Sequence, residues 1–83
     1  MTTPITPTKA MLPFIDKLIE STVETMKTHV RDGELQLGYA AQTSNYEQRA
    51  KLCRSAAASF ERANASNLVV LHLFNQHRIA ASN

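Results

Sequence analysis

Apolar residues recur at steps of three and four along most of the chain, a spacing that predicts helices. Leu12, Ile15, Ile19, Val23, Met26 and Val30 make one such stripe, with Leu18 alongside. Asp16, Lys17, Glu20, Glu24 and Lys27 fall mostly away from it, as on an amphipathic helix. Pro13 suits a first turn, where its missing N–H costs nothing. His29 and Arg31 would complement the negative end of the helix dipole. Asp32-Gly33 supplies a stop, because glycine can take a left-handed cap. The first predicted helix therefore covers about 12–31.

The next segment reads two ways. Leu35, Leu37 and Tyr39 alternate with Glu34, Gln36 and Gly38, which is a strand pattern. The other strand-like segment is Leu68 to Phe74, and a sheet of two strands is marginal in water. A short helix over about 34–43 is the preferred reading, and the alternative is a first helix that runs through Gly33.

A further helix is expected over about 45–63, capped by Ser44 or Asn45, whose side chains accept from the first free N–H groups. Tyr46, Ala50, Cys53, Ala57 and Phe60 are spaced four, three, four and three apart. They predict a heptad-like seam of mostly small residues, widened by Leu52 and Ala56. The sequence Asn64-Ala-Ser-Asn67 is expected to break or kink the chain, unless the helix runs on. A last helix over about 67–80 has apolar residues on most sides: Leu68, Val69, Val70, Leu71, Leu73, Phe74 and Ile79. Such a helix must be buried by something. The expected fold class is all-α, a small bundle of three to four helices, possibly merging into a long helical hairpin. Residues 1–10, with Pro4 and Pro7, read as a flexible arm, and 11–83 as a single domain.

Composition agrees with helix: the 83 residues include only two glycines and three prolines. One cysteine, Cys53, rules out an intramolecular disulfide, whereas small secreted domains usually carry several. The start, MTTPITPTKAMLPF, lacks the pattern of a signal peptide, and no apolar run is long enough to span a bilayer. A cytoplasmic setting with no membrane partner is expected. Formal net charge is +2. Residues 1–44 carry −1 and residues 45–83 carry +3, a mild tilt rather than a dense basic stripe.

Candidate chemistry is sparse. His72 and His77 stand five apart, on different faces of a helix, while a metal-binding pair needs three or four. Cys53 reads as a buried structural thiol, His72 as a core or interface histidine, and His29 as a helix-end residue. No glycine-rich phosphate loop is present, since Gly33 and Gly38 stand alone. Asp16, Glu20 and Glu24 share a helix with no second carboxylate cluster to face them. An enzyme is not expected, nor a metal or cofactor. Lys51, Arg54 and Arg62 could meet phosphates, but Glu47 and Glu61 interrupt that face and Arg49 points elsewhere. Nucleic acid is the alternative partner and not the favoured one.

The segment LGYAAQTSNYEQRAKLCRSAAASF resembles the helical hairpin of tetratricopeptide-like repeats and of the microtubule-interacting-and-transport domain. Leu37-Gly38, the turn Asn45 to Glu47, Lys51-Leu52, Ala56 and Phe60 carry the likeness. Ser44 and Arg49 depart from it, and there is one unit where a solenoid needs about three. The resemblance implies a hairpin that binds protein. Size and helical make-up are also similar to those of small secretion co-chaperones. The residues themselves point to a protein–protein interaction module, adaptor or chaperone-like. It would bind a partner helix or a second copy through Leu68, Leu71, Leu73, Phe74 and Ile79. The alternative is a small nucleic-acid-associated or regulatory protein using Lys51, Arg54 and Arg62.

Overall fold

The computed structural model describes residues 6–83. Helix α1 runs Leu12–Gln42 and helix α2 runs Tyr46–Ser82. Thr43, Ser44 and Asn45 join them into one antiparallel hairpin. A turn of 3-10 helix, Lys9–Met11, precedes α1, and no strand occurs among the described residues. The expected all-α class holds, but three to four helices are corrected to two long ones. Of the arm expected over 1–10, residues 1–5 lie outside the described residues. Further on, Pro7 is buried, and its carbonyl accepts from Asn83 Nδ2 at 3.3 Å.

Both expected interruptions are helical. Gly33 has no positive φ, so it caps nothing, and α1 passes straight through the stretches expected as 12–31 and 34–43. Asn64 to Asn67 likewise lies inside α2, joining the stretches expected as 45–63 and 67–80. In each case packing outweighs propensity: Gly33, Ala63 and Val70 are buried between the helices, while Asn64 and Asn67 face solvent. An asparagine in a helix costs at most about 0.7 kcal/mol relative to alanine, less than two turns of lost seam contacts would.

The true break falls at Thr43–Asn45. The Asn45 side chain accepts from Gln48 N at 3.0 Å, satisfying one of the free donors of α2. Arg49 reaches back to the other helix. Its Nε donates to Ala40 O at 3.2 Å and its Nη2 to Thr43 O at 2.7 Å. A cation thus sits at the negative end of the α1 dipole and satisfies carbonyls that the helix leaves open.

The two helices meet along a heptad seam. On α1, Leu12, Ile15, Ile19, Thr22, Met26, His29, Gly33, Gln36 and Ala40 repeat at three and four, all buried or half-buried. On α2 the matching positions are Leu52, Ala56, Ser59, Ala63, Ser66, Val70, Leu73, His77 and Ala80. The pairs Asp16–His77 and Ala40–Arg49 mark the antiparallel register. The seam expected from Tyr46, Ala50, Cys53, Ala57 and Phe60 is therefore corrected: it lies on a neighbouring strip of α2. Tyr46, Cys53 and Ala57 are exposed, and Ala50 and Phe60 half-buried. The continuation of that strip holds Asn64 and Asn67, whose amides would be costly to enclose without partners.

Small side chains dominate the seam. Four of the six buried apolar residues are alanine, and Ser59 is buried with them. A Cβ on Gly33 would come within 2.7 Å of the Phe60 ring. The glycine is thus a hole into which Phe60 leans. The result is long and thin, 58 × 27 × 13 Å, with a radius of gyration of 18.2 Å. A compact chain of this length would have about 12 Å.

Two predictions follow from this packing. Gly38 has open space where a Cβ would go, so Gly38→Ala should raise stability by about 0.5–1 kcal/mol. Gly33→Ala is the same chemical change at the crowded position and should lower stability by about 1–3 kcal/mol, read as opposite shifts in thermal melting. Separately, Gln36 Oε1 is enclosed in the seam without a hydrogen-bond partner. Gln36→Leu should raise stability by about 1–2 kcal/mol in denaturant titration, since it removes an unsatisfied acceptor at nearly constant volume.

Candidate functional site

The most unusual chemistry of the surface is apolar. Leu68, Leu71 and Phe74 follow one another at steps of three along the outward side of α2, and they are 60%, 55% and 53% exposed. Of the five residues expected to bind a partner, these three share one flank. Leu73 is instead half-buried in the seam, one heptad before Ala80, and Ile79 is half-buried three turns beyond Leu68. The expectation of apolar residues all round this helix is met in one respect: α1 covers a single stripe and leaves the rest open.

Other exposed apolar residues were less legible in the sequence. Phe14 and Leu18 of α1 and Val69 of α2 are exposed toward the open end of the hairpin, and Leu35, Leu37 and Tyr39 toward the turn. The available signal was that Phe14 does not fit the α1 stripe: a large apolar residue off the packing face has no cover within its own helix. Leu35, Leu37 and Tyr39 were masked by their strand-like alternation.

Polar groups do not converge. His77 Nε2 lies 3.1 Å from Asp16 Oδ1 across the seam, but both side chains are well exposed, so water screens the pair. His29 is half-buried mid-helix in the seam rather than at a helix end, and His72 is exposed rather than in the core. Cys53 is an exposed free thiol, not the buried one expected. Among the described residues, no three His, Cys, Asp or Glu side chains group as metal ligands, and no cavity opens. Lys51, Arg54 and Arg62 are exposed on α2. They fall on one outward face of α2, where Glu47 and Glu61 are interspersed with them, and Arg49 is occupied with the end of α1. No helix among the described residues is long and apolar enough to cross a membrane.

No family model matches the chain, and no curated protein or solved structure matches it significantly.

Neighbouring positions on α2 make the division between seam and open flank measurable. Val70 is 4% exposed and Leu71 55%. At concentrations low enough to keep chains apart, Val70→Ala should cost about 1–3 kcal/mol in urea unfolding. Leu71→Ala, one residue on, should stay within about 0.5 kcal/mol of the parent.

Proposed function

We propose that this protein is a protein–protein interaction module that works by burial rather than by chemistry. Its apolar α2 flank packs against another helical surface, either a partner helix or a second copy of the chain. The observation that carries this reading is the exposed row Leu68, Leu71 and Phe74 on a helix whose seam side is already used. The area of the hairpin supports it. The chain exposes 6248 Å², against roughly 4,900 Å² for a compact monomer of its mass. Large contiguous apolar surface on a small protein marks an interaction site. Leu71 and Phe74 are about half exposed, so covering them would contribute roughly 0.8–1.5 kcal/mol each.

The double variant Leu71→Lys, Phe74→Lys tests the reading. It should retain the helical circular dichroism of the parent, because neither side chain packs in the seam. It should also lose the association that the parent shows, alone or with added cell extract, by sedimentation and affinity capture. A parent chain that sediments as a monomer and captures nothing, or a double variant that associates as the parent does, would remove this function.

A further inference from the structure

Helix α2 carries two heptad strips side by side. One packs against α1. The other is Ala50, Cys53, Ala57, Phe60, Asn64, Asn67, Leu71 and Phe74, stepping three, four, three, four, three, four and three. In the hairpin it faces outward: Ala50 and Phe60 are half-buried and the other six exposed. From Ala50 to Phe74 it holds no charged residue, and Arg78 follows at its next position, while other charged side chains lie elsewhere along the same helix. A helix with two such seams is built for a bundle of more than two helices.

We propose that two copies of the chain pair through this second seam, α2 against α2 and antiparallel, to make a four-helix bundle. The proposal rests on the reading of this flank as an association surface and adds the occupant. Area is the first argument. The chain's excess over a compact monomer is roughly 1,300 Å². A standard interface removes about 800 Å² from each partner. One such interface accounts for most of the excess.

The second argument is self-complementarity. In an antiparallel pair each layer sets one strip position against another from the partner. Setting Asn64 against the partner's Asn67 gives each amide an amide to bond with. That register also sets Phe60, recessed over Gly33, against the partner's Leu71, and Ala57 against the partner's Phe74. At the ends it sets Cys53 beside the partner's Arg78 and Ala50 beside the partner's Ala81. The two-fold axis repeats every contact, so polar meets polar and Ala57 faces a large side chain. Sliding by one heptad toward the turn would bury Asn64 against the partner's Phe60 and bring Glu61 toward the partner's Glu61, and both are costly. Parallel pairing in register would stack Phe74 on the partner's Phe74 and leave a void at Ala50, Cys53 and Ala57.

Native Cys53 allows a direct test on the full chain. In the proposed register Arg78→Cys places a second thiol opposite the partner's Cys53. Within one chain these positions are about 37 Å apart along a single helix, so any disulfide between them is intermolecular. Mild oxidation of Arg78→Cys should give a covalent dimer on a non-reducing gel. The parent and Leu71→Cys should stay monomeric on that gel. Sedimentation of the unoxidised parent should show a mass twice that of the chain, reverting to one chain in Leu71→Lys, Phe74→Lys with helicity retained. The proposal is overturned by a parent that stays monomeric at hundreds of micromolar, by a parent Cys53–Cys53 dimer, or by crosslinking of Leu71→Cys in place of Arg78→Cys. If the monomeric parent still captures another protein through Leu71 and Phe74, self-pairing falls while the proposed function stands.

Discussion

The approach of α1 and α2 along a seam of small side chains is the constraint from which the rest of the molecule follows. Ala56, Ser59, Ala63 and Gly33 keep the seam small, with Ile15 and Val70 buried and Met26 half-buried along it. At Gly33, under Phe60, one extra methyl group has no room. Small residues at close range give many weak contacts per unit length rather than a few large buried side chains. The same choice keeps the buried volume low, so the hairpin closes along one line and stays thin.

Thinness has consequences for everything outside the seam. Two helices side by side can cover only one stripe of each other, and among the described residues Leu68, Val69, Leu71 and Phe74 of α2 are left largely open. A third or fourth helix would normally supply that cover in a domain of this length. Here residues 12–82 are spent on two helices and a three-residue turn, the second helix spanning 37 residues. The uncovered flank is therefore a product of the fold itself, and the association proposed for it would hide it. Arg49 and Asn45 serve the same architecture from the other end. By satisfying open backbone groups of both helices at the turn, they let a three-residue connection reverse the chain without leaving helix ends bare.

Electrostatics is a minor force in this molecule. The Asp16–His77 and Glu24–Lys27 pairs lie on the surface, where screening leaves each worth little. Lys51, Arg54 and Arg62 share the outward face of α2 with Glu47 and Glu61, which offset part of their charge. The chain's chemical character lies in where its apolar surface goes, and that surface differs on the two sides of the same helix: enclosed at Val70, open at Leu71.

Much of this was written in the sequence. Helical periodicity, scarce glycine and proline, the Pro13 start and the Asn45 cap depend on neighbours within a turn or two, so the all-α class and the position of the turn could be read locally. The stripe Leu12, Ile15, Ile19, Met26 was legible for the same reason, because only one apolar strip runs along that half of α1. Helix α2 offered two strips of equal spacing, and periodicity cannot rank them. Only contact with α1 chose the strip of Ala56, Ala63 and Val70, turning Cys53 outward and Leu73 inward. Nor could local signals show that Gly33 and Asn64–Asn67 would stay helical, since the seam contacts that hold them there come from the other helix. What the chain determined alone was that it would be helical and over-supplied with apolar residues. Which of those residues would be left uncovered was decided by packing, because burial is a property of the pair of helices and not of either one.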